Sequence, residues 1–104
     1  MAKYLLLYSG GGMPESEVET AAVMKAWDAW FHQLGNALAD GGNPFTPASK
    51  KISPDGSITD GAGPGTGYSI IEADSLEAAD DLAKACPVLQ GGASIGVYET
   101  FNVM

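Results

Sequence analysis

Apolar residues recur along this chain at two spacings, and each change of spacing marks a new element. From Lys3 to Tyr8 the run Lys-Tyr-Leu-Leu-Leu-Tyr predicts a first strand, closed by Gly10, Gly11 and Gly12, which suit neither strand nor helix. Alternation turns Tyr4, Leu6 and Tyr8 to one side and Leu5 and Leu7 to the other, so both faces are apolar and both need cover. Ser16 followed by Glu19 then makes a capping-box start for a helix, and Glu15, Glu17 and Glu19 suit the positive end of its dipole. Val23, Trp27, Trp30, Leu34 and Leu38 follow at spacings of three and four, one heavy aromatic stripe that packs on the sheet.

Between Gly35 and Gly67 the chain holds eight Gly and four Pro in 33 residues, which predicts a loop-rich middle. Within it Ile52-Ser-Pro-Asp-Gly-Ser-Ile58 carries Pro-Asp-Gly turn chemistry between apolar flanks, a short peripheral hairpin. Tyr68 to Ala73 reads as a strand, and Asp74 or Ser75 caps a second helix with Leu76, Ala79, Leu82, Ala83 and Cys86 inward and Pro87 as its stop. A last strand runs from Ala93 to about Phe101, with Ile95, Val97, Glu99 and Phe101 alternating against Ser94, Gly96 and Tyr98.

Strand, helix, hairpin loop, strand, helix, strand is the order of an α+β split βαβ sandwich, an antiparallel sheet with two helices on one face. At 104 residues, with no linker to a second folded unit, residues 1–104 are expected to form one domain. The helices leave one sheet face bare, and a second copy of the chain is the simplest cover for large apolar residues on it. The expectation is a homodimer through sheet faces.

Thirteen acidic against five basic side chains give a formal charge of −8, which repels phosphate backbones and anionic membranes and leaves basic or neutral ligands compatible. Nucleic acid and membrane are therefore not expected partners. The single Cys86 excludes an intramolecular disulfide and a Cys-based zinc site, and the five-residue apolar run Tyr4–Tyr8 is far below the roughly 18 residues of a membrane span. These features fit a cytoplasmic protein.

Candidate chemistry is sparse. Gly10–Gly12 precedes a helix, but a dinucleotide fingerprint starting there needs glycine where Glu15 stands, and Gly61-Ala-Gly-Pro-Gly-Thr-Gly67 leads into a strand without a Lys-Ser/Thr ending. No cofactor is expected. His32, the only histidine, falls opposite the aromatic stripe on the face of Lys25, Asp28 and Asn36, a solvent position. One histidine also supports no metal site. Cys86 reads as buried filler at a helix C-terminus, where the dipole raises its pKa, and Ser9 as turn chemistry with no base nearby. Tyrosines in strands remain: Tyr4, Tyr8 and Tyr68, with Trp27 and Glu72, are the candidate ligand-binding residues, and phenols on the dimer side would enter an enclosed space.

Taken together, the short apolar strand, the helix ending Phe31-His-Gln-Leu-Gly-Asn-Ala-Leu38, Thr59-Asp60-Gly61, Gly67-Tyr-Ser-Ile-Ile71 and Ala85-Cys-Pro87 resemble the YCII-related family, in particular its DGPF branch, over nearly the whole chain. The resemblance implies a ferredoxin-like fold that dimerises into an α+β barrel, and it implies no single activity. Enzyme-like members place a His in the first helix and an Asp before the Pro that ends the second; aligned through Gly35 and Pro87, those positions hold Met24 and Cys86 here. The Asp-Gly-Pro-Phe signature is interrupted, since Asp60-Gly61 is followed by Ala62-Gly63 before Pro64.

Three readings follow. One is a small-molecule-binding homodimer without catalysis. Another is a cofactor-independent lyase, isomerase or oxygenase of the α+β barrel class, with tyrosines and Glu72 or Asp74 moving protons. The third is a regulatory protein-binding module, since some DGPF relatives are associated with alternative sigma factors.

Overall fold

Alternation along β1 (Ala2–Gly10) separates an interior from an outer side: Tyr4, Leu6 and Tyr8 are buried, while Leu5 and Leu7 between them stay partly exposed. In the computed structural model, which describes residues 1–12 and 15–103, β1 lies in the middle of an antiparallel sheet. The order is β2 (Leu38–Asp40), β5 (Gly65–Ala73), β1, β6 (Ala93–Glu99). Leu6 faces Ser69 on one side and Val97 on the other, and Tyr8 faces Gly67 and Ile95, so small residues of β5 make room for the large ones of β1.

Both helices cover the Tyr4–Leu6–Tyr8 face. From α1 (Glu17–Leu34) come Trp30 and Leu34, and from α2 (Leu76–Ala83) come Ala79 and Ala83, all within one cluster with Leu6 and Ile71. Each fully buried Leu or Ile of that cluster contributes about 1.5–3 kcal/mol. Alanines at 73, 79 and 83 keep α2 close to the sheet, and Trp30 Nε1 donates to the Leu82 carbonyl at 3.1 Å, tying the two helices together. The protein is thus α+β, an antiparallel sheet with two helices, an arrangement compatible with a ferredoxin-like fold.

Helix α1 starts as its sequence predicts, with Ser16 Oγ accepting from Glu19 N–H. The reciprocal bond of the capping box is displaced by one residue: Glu19 takes the N–H of Glu15. Its apolar stripe is shorter than predicted at both ends. Residues 17–25 are exposed on every side, including Val23 at 39%, because no other described residue covers these turns. At the far end Gly35, at φ +54, donates its N–H to the Phe31 carbonyl and stops the helix, so Leu38 belongs to β2 instead, opposite Ile71. The short β2 was not predicted, since its Leu-Ala-Asp carries no strand pattern of its own.

The hairpin forms from β3 (Lys50–Ile52) and β4 (Ile58–Asp60), a separate two-stranded sheet closed by Ser53 N–H to Ser57 O and Ser57 N–H to the Asp55 carboxylate. β5 extends three residues further back than its apolar run, through Gly65 and Gly67, where Pro44 pairs with Gly67. Ser75, not Asp74, caps α2. Helix α2 ends at Ala83, so Cys86 lies beyond it and precedes a 3-10 turn, Pro87–Gly91; Leu76 is exposed and β6 stops at Glu99, leaving Phe101 exposed as well.

Gly42 makes the tightest backbone approach, at φ +73 with its Cα against Tyr68: a Cβ there would sit 1.7 Å from the Tyr68 carbonyl oxygen. Gly42→Ala should therefore lower stability by more than about 1 kcal/mol in urea unfolding, through both backbone strain and collision. An unchanged midpoint would contradict the close approach.

Candidate functional site

The five candidate ligand-binding residues do not come together in one cluster. Sheet parity places Tyr4 and Tyr8 beneath the helices with Trp27, and Tyr68 and Glu72 on the helix-free face.

Beneath the helices, Tyr8 and Trp27 meet edge to face at 5.8 Å, and Trp27 continues to Trp30 and Phe31, each at 5.6 Å. Tyr8 Oη donates to Ser69 Oγ at 2.7 Å, Ser69 Oγ donates to the Gly41 carbonyl at 2.8 Å, and Cys86 Sγ approaches Tyr8 Oη at 3.6 Å. Each of these groups has a partner, as does every other buried side-chain polar atom among the described residues. Burial pushes the Tyr8 hydroxyl well above its ordinary value and raises the Cys86 thiol too, so both hold their protons at neutral pH. The cause at Cys86 is desolvation and not the helix dipole, since the residue lies past α2. Tyr4 stands apart, donating to Glu99 at 3.1 Å; burial first and then Glu99 raise its pKa. This is a satisfied polar chain inside a core, chemically quiet.

The helix-free face is different. Leu5, Leu7 and Ile70 form its centre, with Leu5 paired to Ile70 and Leu7 to Tyr68 across β1 and β5. Tyr98, more than half exposed, leans its ring over Gly96, where a Cβ would come within 3.1 Å of it. Tyr68 stacks on Phe45 at 6.0 Å and donates to Asp40 at 3.3 Å, and the Asp40 carboxylate raises its pKa. Lys3 and Glu72 sit opposite each other at one end, so a cation and an anion border an apolar centre.

Two open depressions lie elsewhere. One of about 480 Å³ is lined by residues 47–50 with Asp60 and Gly61, at the base of the hairpin, and one of about 240 Å³ by Asp28, Phe31, His32 and Gly35. His32 is exposed, as its helical phase predicts, and shares its depression with one carboxylate. Among the described residues no three His, Cys, Asp or Glu side chains gather as a metal-binding group, and no helix is long and apolar enough to cross a membrane. Sequence reasoning missed Ser69 and Asp40. The alternation Ser69-Ile70-Ile71 places Ser69 on the buried face and could have found it, whereas the Asp40 to Tyr68 contact depends on a loop with no readable period.

Two outcomes test the interior chain. Tyr8→Phe should cost about 1 kcal/mol in urea unfolding, because Ser69 keeps its bond to the Gly41 carbonyl but loses the one it accepts from Tyr8, and Cys86 loses its acceptor; no change would mean the bond to Ser69 contributes nothing. Between a group's ordinary pKa and its raised folded value, the unfolded chain has released a proton that the folded chain keeps, so stability falls as pH rises. It should be full below the ordinary thiol value, decline from about pH 9 and steepen above about pH 10 as unfolded tyrosines ionise. Adding Cys86→Ala to Tyr8→Phe should lessen that alkaline slope, leaving the part that comes from Tyr4 and Tyr68, and an unaltered slope would place its origin elsewhere.

No family model matches this chain, and no curated protein matches it.

Proposed function

We propose that this chain is a small-molecule-binding homodimer of the YCII-related, DGPF-like type, whose two copies meet through their helix-free sheet faces and close an α+β barrel. The observation that carries this reading is the composition of that face: Leu5, Leu7 and Ile70 flanked by Tyr68, Tyr98 and Phe45, with both helices on the other side. A contiguous apolar patch bordered by polar groups marks an interaction surface on a small protein. A second copy fits it by symmetry, because a two-fold contact sets like patch on like patch and brings one Lys3 and one Glu72 from each copy to the rim. The phenols of Tyr68 and Tyr98 then lie in an enclosed, largely apolar space, the setting in which a few polar groups orient a small ligand.

Binding is favoured over catalysis by the state of the groups available. Met24 and Cys86 stand where the resemblance places acid and base; Met24 is exposed, and the Cys86 thiol is buried and held protonated.

Native mass spectrometry of freshly purified protein tests the reading, since one spectrum reports subunit number and any retained molecule. The expected result is a dimer, and Leu7→Asp, which places a carboxylate at the centre of the face without touching the helix-covered core, should weaken association about 100-fold or more. A wild-type chain that stays monomeric at tens of micromolar would overturn it.

A further inference from the structure

At the rim of the helix-free face the Asp40 carboxylate is held from two directions. Gly42 N–H donates to Oδ1 at 2.9 Å and Tyr68 Oη donates to Oδ2 at 3.3 Å. The loop cannot easily swing it away, because Gly42 lies directly against the Tyr68 backbone. Among the described residues the ion pairs are Lys50 with Asp60 and Lys84 with Asp81, so this oriented carboxylate has no cation of its own. A carboxylate offers about four acceptor sites, and two are taken here.

Beside it stands an aromatic surface. The Phe45 ring stacks on Tyr68 at an interplanar angle of 27° and remains 47% exposed. Further along β5, Glu72 lies on the same face, and the whole chain carries −8, so the local field disfavours anions and favours cations. A fixed anion next to an aromatic face suits a ligand with a charged nitrogen and an apolar body: the ammonium donates to the carboxylate, and the remainder lies against the ring.

We propose that Asp40, Phe45 and Tyr68 form a binding site for an organic ammonium ion, with the charged nitrogen on Asp40 and the apolar portion on Phe45. The proposal names the ligand class for the small-molecule-binding reading above and rests on it. Tyr68 acts as a positioning residue that sets the carboxylate.

The test is an NMR titration of the full chain with phenethylammonium chloride and, separately, with sodium phenylacetate, which has a similar shape and the opposite charge. The amine should shift the amide signals of Asp40, Gly42, Phe45 and Tyr68 in a saturable way and bind at least about tenfold more tightly than phenylacetate. Asp40→Asn keeps an acceptor for Gly42 N–H and should weaken amine binding about tenfold or more, and Phe45→Ala, a change at an exposed ring, should weaken it several-fold. Equal binding of both probes, no saturable shift at these residues, or an Asp40→Asn variant that binds the amine as well as wild type would overturn the site. Subunit number measured on the same samples separates the two ideas. Selective amine binding by a monomer retains this site and removes the dimer, whereas a dimer that ignores the amine does the reverse.

Discussion

A four-stranded sheet has two faces, and this chain supplies two helices that lie on the same one. Most of the remaining structure follows from that imbalance. The covered face can hold a conventional core, Tyr4, Leu6, Tyr8 and Ile71 under Trp30, Leu34 and the alanines of α2, because among the described residues every buried side-chain polar atom finds a partner. The other face retains Leu5, Leu7 and Ile70 with no helix over them. Hydrophobic burial is the dominant favourable contribution to folding and to association, so the same force that assembles the core also acts on this second surface, which is the ground for the proposed dimer.

The two faces also divide the chemistry. Under the helices, desolvation keeps Tyr8 and Cys86 protonated, and the hydrogen-bonded chain through Ser69 to Gly41 fixes positions without offering a reactive group. On the open face the polar groups sit at the edges of an apolar field, Lys3 with Glu72 at one end and Asp40 with Tyr68 at the rim, where they remain available to a ligand or a second copy. The proposed binding function is therefore placed on the helix-free side, although three of the five residues first singled out, Tyr4, Tyr8 and Trp27, belong to the other.

Much of this was legible in the sequence because it rests on short-range periodicity. The two apolar faces of β1, the Ser16 cap, the Pro-Asp-Gly hairpin and the solvent position of His32 each need only a few neighbouring residues to be deduced. Leu38 shows where that stops: its spacing continues the helical stripe, but Gly35 takes a positive φ, a 3-10 turn over Gly35–Ala37 follows and the chain enters β2, and propensity alone does not decide between those outcomes. The exposed first half of α1 was hidden for a related reason, since a stripe of apolar residues says which face is buried and not how far the covering surface extends. Asp40 and Phe45 were out of reach altogether, because a glycine-rich loop brings them to Tyr68 through contacts between residues more than twenty positions apart.

The central claim is that the helix-free face is covered in solution. Its most direct test is the paramagnetic broadening of methyl signals by a soluble gadolinium chelate, at protein concentrations where a dimer would be populated. The account predicts that Leu5, Leu7 and Ile70 methyls are shielded nearly as well as those of buried Leu6 and Ile71, while Val18 on the uncovered start of α1 is strongly broadened. Broadening of Leu5, Leu7 and Ile70 clearly beyond that of Leu6 and Ile71, as their partial exposure in a single chain would give, would show the face open to solvent and contradict it.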